Sequence, residues 1–248
     1  MDPPEARLWR LVRSLPVAAI IALSPAIAAA QEIPVDLELV LAVDVSASID
    51  GAEVDLQRAG YIAALTDPGV IAAMTGGALG RIALTYVEWA EFQRTLVGWT
   101  LIDSPAAAAA FAAQLAQQPA PPGRMTVIDA ALDYAAARFD GNGYEGTRRV
   151  IDLSGDGRDT FHPLDEKVPA ARDRALARGV TVNGLAINPD NEQVMVEGAP
   201  EPLDRYFRDF IIGGPGAFVV VARGPDDFPR AVLRKLVREI AAVVPAPR

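Results

Sequence analysis

The chain has 248 residues, no cysteine, one histidine and a formal net charge of −9 at pH 7. The lack of cysteine excludes disulfides, thiolate nucleophiles and cysteine-ligated zinc or iron–sulfur centres. A lone histidine argues against histidine-rich metal sites. The acidic balance argues against nucleic-acid binding and is compatible with attraction of cations.

The first 30 residues resemble a secretory signal peptide. Three arginines precede an alanine-rich apolar run, which ends in small residues at Ala28–Ala30. The run is short for a membrane span, although an uncleaved anchor is the alternative. We therefore expect residues 1–30 to be removed and residues 31–248 to form a single domain. Because the leader carries three Arg against one Asp and one Glu, the mature chain has a net charge of −10. We expect it to be exported to the periplasm or the medium, with no membrane insertion after cleavage.

Strand-like and helix-like segments alternate along the rest of the chain. In chain order they are a strand at 37–44, a helix at 52–67, strands at 81–90 and 93–100, helices at 104–118 and 126–139, a strand at 147–155, a helix at 165–179, a strand at 180–187, a helix at 202–211, a strand at 217–222 and a helix at 225–244. Continuous apolar strands are typical of a sheet buried on both faces. The Asn183-Gly184 pair would favour a hairpin turn, but the apolar run continues on both sides, so we predict a strand. The pattern predicts an α/β fold: a three-layer, Rossmann-like, mostly parallel sheet with helices on both faces and one antiparallel edge strand.

The first strand ends in an unusual run of oxygen-bearing side chains. The stretch "LVLAVDVSASID" places Asp44, Ser46 and Ser48 at alternate positions after an apolar run. These are hard oxygen donors of the kind that Mg²⁺ prefers. Serine and aspartate are also common N-caps, so a simple helix cap is the competing interpretation of this stretch alone.

Two later segments favour the metal interpretation. Thr126 stands where a loop becomes a helix, and Asp156 follows the strand at 147–155 in a glycine-rich turn. Ligands of open parallel sheets bind outside the carboxyl ends of the strands, where the strand order reverses. Three oxygen-bearing turns at the same edge of a sheet are hard to explain as separate caps.

The order Asp44-x-Ser46-x-Ser48, then Thr126, then Asp156 resembles the metal-ion-dependent adhesion site (MIDAS) of von Willebrand factor A (VWA) domains. The resemblance covers about residues 36–243. A bacterial branch carried as a domain of unknown function is similar in narrower stretches: "YVEW", "RRVIDLSGDG", "NGLAI", "IIGGPGAF" and "LRKLVREI".

The resemblance implies a function for these residues. Asp44, Ser46, Ser48, Thr126 and Asp156 would hold Mg²⁺ or Mn²⁺, the hydroxyls directly and the carboxylates directly or through water. A carboxylate of a protein partner would complete the metal's coordination. We therefore expect an exported, non-enzymatic protein-binding module.

The chain departs from the branch after "SGDG", where amides and a glycine are expected and Arg158, Asp159 and Thr160 stand instead. Asp159 could add a carboxylate to the metal site, and Arg158 could attract an acidic ligand. Because loop tips are usually polar for solvation alone, we expect these two side chains to be solvated.

Two other functions stay open at this point. A metal-assisted hydrolase could use the same cation, and a metal-free scaffold could retain the motif as a relic. Four further residues have ordinary structural explanations: a half-exposed Glu88, a loop residue at His162, and helix-start acids at Asp226 and Asp227. The stretch "IIGGPGAF" lacks dinucleotide-loop spacing.

Overall fold

The computed structural model describes residues 31–46, 51–119, 123–161, 166–187, 193–196, 198–224 and 226–241, without the side chains of residues 51–54. The predicted signal peptide lies outside these residues, and its prediction, like the domain limits, stays untested. Among the helices described, none has both the length and the apolar character that a membrane span requires.

The secondary structure follows the predicted alternation. The strands are β1 Ile33–Val35, β2 Leu37–Asp44, β3 Ile82–Trp89, β4 Gln93–Ile102, β5 Tyr144–Gly146, β6 Arg149–Gly155, β7 Val180–Ile187, β8 Gln193–Val196, β9 Ala199–Pro202 and β10 Val219–Ala222. The helices are α1 Gly51–Leu65, α2 Pro68–Thr75, α3 Pro105–Ala116, α4 Ile128–Ala137, α5 Lys167–Ala177, α6 Leu203–Tyr206 and α7 Phe228–Ala241. A π-helical turn, Phe207–Ile211, continues α6.

Six strands form the central sheet in the order β10-β7-β6-β2-β3-β4. All neighbours are parallel except β3 and β4, which pair antiparallel as the predicted hairpin at the edge. The chain first builds outward from β2 to β3 and β4, then returns to the other side of β2 with β6. The strand order therefore reverses at β2, which is the position where open α/β sheets bind ligands.

The sheet separates two hydrophobic cores, which agrees with the continuous apolar strands of a sheet covered on both faces, because successive side chains point to opposite faces. Along β2, Leu39 and Leu41 point into the core beneath α1, α2, α3 and α7, and Val40 and Ala42 point into the core beneath α4, α5 and α6. Every residue of β2 is buried. The predicted three-layer α/β fold with one antiparallel edge strand is confirmed.

Several elements were not expected from the sequence. They are the helix α2, the short parallel pair β1–β5 and the hairpin β8–β9. The predicted helix at 202–211 is present, but its second half, Phe207–Ile211, is π-helical instead of α-helical, and the N–H of Ile212 bonds the carbonyl of Phe207. Asn183 and Gly184 lie inside β7, as predicted, with no hairpin turn.

Helix α7 is joined to the sheet by a buried ionic cluster. Lys235 of α7 pairs with Asp152 of β6, and its Nζ lies 3.3 Å from Glu239 Oε2. Asn183 Nδ2 donates to Glu239 Oε1 at 2.7 Å. Burial, followed by the negative charge of Asp152, raises the pKa of Glu239 to about 8. Lys235 thus pairs with both Asp152 and Glu239, and the carboxyl group of Glu239 is more stable when protonated.

The protonated state of Glu239 predicts how stability changes with pH. Its pKa is higher in the folded than in the unfolded protein, so the folded state binds more protons between about pH 4.5 and pH 8, and this group's stabilisation is lost as pH rises through that window. Glu239→Gln keeps the acceptor for Asn183 and cannot ionise. We expect the unfolding free energy of the wild type, relative to this variant, to fall with a slope of up to about 1 kcal/mol per pH unit.

Urea unfolding at pH 5, 6, 7 and 8 measures this difference. Glu145→Gln, at an exposed position of β5, is the control and should follow the wild type. If the unfolding free energies of the wild type and Glu239→Gln changed in parallel between pH 5 and pH 8, the raised pKa of Glu239 would be contradicted.

Candidate metal site

Asp44 is the last residue of β2, at the carboxyl edge where the strand order reverses. Its side chain is 0% exposed. Oδ1 accepts a hydrogen bond from the backbone N–H of Ser46 at 2.8 Å. Oδ2 is buried and has no hydrogen-bond partner of normal geometry among the described residues. Of the two carboxyl oxygens of Asp44, Oδ2 is therefore the one that could accept a further positive partner.

The environment disfavours the ionised form of Asp44. Burial and, second, the negative charge of Asp156 raise the pKa of Asp44 to about 8, against the opposing effect of the backbone N–H groups of Ser46 and Asp156. A cation bound beside both carboxyl groups would offset both causes at once.

The hydroxyls of Ser46 and Thr126 meet at this edge. Thr126 Oγ1 donates to Ser46 Oγ at 3.2 Å, and both side chains are buried. Adjacent ligands of an octahedral Mg²⁺ stand about 3 Å apart, given metal–oxygen distances near 2.1 Å. The two hydroxyls therefore already have the separation that neighbouring magnesium ligands need. Ser48, the third predicted hydroxyl, lies outside the described residues.

Gly155 leaves space for the carboxyl group of Asp44. A Cβ at Gly155 would stand 3.1 Å from Asp44 Oδ2 and 3.4 Å from the Trp89 ring. The small residue lets the end of β6 approach β2 and delivers the next residue, Asp156, to the same edge. The structure thus brings together Asp44, Ser46, Thr126 and Asp156 from three loops, and their role as metal ligands stays a prediction.

The donor set fits a hard divalent cation. Two carboxylates and at least two hydroxyls are oxygen ligands of the kind that Mg²⁺ and Mn²⁺ take with water completing the shell. Within the part of the chain that the structure describes, no group of three His, Cys, Asp or Glu side chains could hold a metal alone. A site here would depend on the hydroxyls as well.

Glu91 holds the loop that carries Thr126, a role that the sequence did not suggest. Its Oε2 accepts from the backbone N–H groups of Arg124 at 2.6 Å and Met125 at 3.1 Å. These amide bonds, led by that of Arg124, lower the pKa of Glu91 to about 2. The turn between β3 and β4 thereby fixes one side of the loop before α4.

Asp159 fixes the other side of the same loop. Its Oδ2 accepts from the N–H of Ile128, the first residue of α4, at 2.8 Å, and its Oδ1 accepts from Phe161 N–H at 2.9 Å. The side chain is 0% exposed, so the expectation of a solvated Asp159 is wrong. It is buried because Val127 offers no side-chain cap for α4, and Asp159 supplies that cap from a distant loop.

Thr160 completes the link between the two loops. Its N–H donates to Thr126 O at 2.9 Å, and its Oγ1 accepts from Thr126 N–H at 3.0 Å. Arg158 donates through Nη1 to the backbone oxygen of Met195, in the hairpin β8–β9. Arg158 is partly buried, so its side chain is not simply solvated either.

The other sequence candidates have structural roles. Glu88 is 1% exposed and pairs with both Arg58 and Arg94, so the expectation of a half-exposed residue is wrong. Asp227 accepts from the N–H of Arg223 at 3.0 Å and lies just before α7, consistent with a helix-start acid. His162 lies outside the described residues.

Removing the Asp159 carboxyl should loosen both loops. We expect Asp159→Ala to lower the unfolding free energy by about 2 kcal/mol, because the N–H groups of Ile128 and Phe161 lose a charged acceptor and at least one is left buried. Chemical denaturation measures the loss. Asp173→Ala, at an exposed position of α5, should change it by less than about 0.5 kcal/mol. Equal stability of the two variants would refute the capping role.

The lowered pKa of Glu91 predicts an acid dependence. Its stabilisation is present above the unfolded pKa near 4.5 and is lost as the pH falls toward 2. We expect Glu91→Gln to cost about 1 kcal/mol at pH 7, allowing for the partial exposure of the carboxylate. The gap to the wild type should close as unfolding is measured from pH 5 down to pH 2.5. A gap that stays constant with pH would mean that the charge contributes nothing.

Comparison with solved structures shows the fold. Proximal thread matrix protein 1 from the mussel byssus matches with a TM-score of 0.59 and 15% identity, over 86% of this chain and 49% of that one. A second crystal structure of the mussel protein has a zinc-occupied MIDAS motif. A von Willebrand factor type A protein from Catenulispora acidiphila matches with a TM-score of 0.55 and 18% identity, over 84% and 42% of the two chains.

The pilus adhesin SpaC from Lactobacillus rhamnosus GG matches with a TM-score of 0.57 and 12% identity, over 85% of this chain and 31% of the adhesin. The chain thus spans half or less of the length of these three proteins. No curated protein sequence matches it. The family model "Protein of unknown function (DUF1194)" matches residues 34–244. The chain therefore belongs to the DUF1194 family, and its fold is that of a von Willebrand factor A domain.

Proposed function

We propose that the protein is an exported binding module that holds Mg²⁺ or Mn²⁺ at the carboxyl edge of β2 and captures a carboxylate of a protein partner through the metal. The observation that carries the proposal is the unmatched Oδ2 of Asp44, buried beside Asp156 and next to the Ser46–Thr126 hydroxyl pair. A buried carboxyl oxygen without a hydrogen bond of normal geometry is costly unless the group keeps a proton or a cation binds to it.

The comparisons support the metal and the partner class. The mussel protein carries zinc in a MIDAS motif, and the SpaC protein is a pilus adhesin. Both are proteins that act outside the cell, which agrees with the signal peptide predicted from residues 1–30. The preference for Mg²⁺ or Mn²⁺ over zinc in this chain rests on its all-oxygen donor set.

Each residue has a defined task in this proposal. Asp44, Ser46, Ser48, Thr126 and Asp156 hold the metal, and the metal supplies an open position that attracts an anionic oxygen. Glu91 and Asp159 are not predicted ligands, and their carboxylates hold the Thr126 loop through backbone N–H groups. We propose binding and not metal-assisted hydrolysis, because the motif supplies no general base apart from the carboxylates that would hold the metal.

Metal titration tests the proposal. Calorimetry with Mg²⁺ and Mn²⁺ on chelator-stripped protein should show one saturable site. Asp44→Ala should weaken it by about 100-fold or more, and Thr126→Val by about 10-fold, because each removes an oxygen donor.

Asp173→Ala is the matched control for nonspecific attraction of cations to an acidic protein. It should bind the metal as the wild type does. Identical heats for the wild type and Asp44→Ala would refute the metal site, and a metal-free scaffold would then be the better description of the fold.

A further inference from the structure

Large apolar side chains are exposed around the candidate metal site. Of the described residues, those with the most exposed large apolar side chains include Met125 at 37%, Phe161 at 55% and Met195 at 50%. The other two are Ile33 and Leu79, which precede β2 and β3 at the opposite edge of the sheet. The first three come from three separate segments, and all three segments border the carboxyl edge.

Hydrogen bonds bring these three segments together. Thr160 N–H donates to Thr126 O, and Thr126 N–H donates to Thr160 Oγ1, so the segments that carry Met125 and Phe161 meet at this pair of threonines. Arg158 donates to the backbone oxygen of Met195 and ties the hairpin β8–β9 to the loop that follows β6. We call Met125, Phe161 and Met195 the apolar rim.

The hairpin presents Met195 by simple alternation. On β8, Val196 is 6% exposed and packs into the core beneath α4 and α6, so its neighbour Met195 faces the other way. Folding therefore needs Val196 but gains little from a methionine at 195. Exposed apolar side chains gathered beside a polar site are typical of binding surfaces.

The charge next to the rim suits an acidic ligand. The side chain of Arg124 is 85% exposed, and its Nε lies 3.6 Å from Glu91, whose other oxygen already accepts two backbone N–H groups. A cationic side chain thus stands beside Met125 in a protein whose net charge is −9. Charge complementarity with a carboxylate-bearing segment follows.

We propose that the apolar rim recognises the side chains on either side of the ligand carboxylate, so that the partner is a protein segment with an Asp or Glu flanked by large apolar residues. This inference rests on the proposed metal-dependent function. The metal would bind the carboxylate of any acidic segment, whereas the rim selects among such segments by burying their apolar neighbours.

Three end-blocked peptides test the rim on the wild-type protein. They are Gly-Leu-Asp-Phe-Gly, Gly-Ser-Asp-Ser-Gly and Gly-Leu-Asn-Phe-Gly, each titrated with Mn²⁺ present and after chelation. We expect the first to bind about 10-fold more tightly than the second, since burial of two apolar side chains is offset in part by ordering them. The third should bind no better than the first does after chelation. Equal affinity of the first two peptides would overturn the inference.

Single rim variants locate the effect. Phe161→Ser and Met195→Ser should each reduce the preference for apolar flanks to about 3-fold or less. Leu79→Ser removes a side chain of similar exposure, 44%, at the opposite edge and should leave the preference intact. An equal loss in all three variants would also overturn the inference.

Metal binding separates failure of the rim from failure of the proposed function. The rim variants should bind Mn²⁺ as the wild type does, because none of the changed side chains is a predicted metal ligand. Normal metal binding without peptide preference would refute only the rim. Absence of metal binding in the wild type would refute the proposed function, and the inference with it.

Discussion

A carboxyl group at the end of a fully buried strand must either hold a proton or meet a positive partner. Asp44 is in this position because β2 is covered by β3 and β6 at its sides and by helices on both faces. Water cannot solvate the ionised form there, and Asp156 adds a like charge from the next loop. The features around it, from the Ser46 amide to the missing Cβ of Gly155, are consistent with an edge arranged for a cation.

The support of the site comes from residues that are distant in sequence and are not themselves predicted ligands. Glu91 accepts from two backbone N–H groups of the loop before α4, and Asp159 accepts from the N–H of Ile128 at the other end of that loop. Thr126 lies between these two anchors. Its hydroxyl is therefore positioned by the folded loops before any metal arrives, which reduces the ordering that binding would require.

The sequence predicted what depends on local pattern and missed what depends on distant contacts. The continuous apolar runs predict the buried strands, and the run through β7 outweighs the turn signal of Asn183-Gly184. Asn183 instead uses its side chain to bond Glu239 and the N–H of Phe218. By contrast, β1 and β5 are three residues each and exist only through their pairing with one another.

Two other misses have different causes. Helix α2 carries a local start signal in the sequence, since Asp67 precedes Pro68 and its side chain accepts from Gly69 N–H. The burial of Asp159 could not be seen in the same way, because it depends on an uncapped helix 31 residues away. For the site, the positions of Asp44, Ser46, Thr126 and Asp156 at one edge followed from the order of strands, while Glu91 left no sequence signal at all.

The hairpin β8–β9 lies between β7 and α6 in the chain and contributes none of the predicted metal donors. It touches the neighbouring loop through a backbone oxygen, which any residue at position 195 would offer. Its outward side chains can therefore change without removing a predicted metal ligand. Under the proposed function, substitutions in this short hairpin would alter the preference for a partner and leave the predicted cation ligands in place.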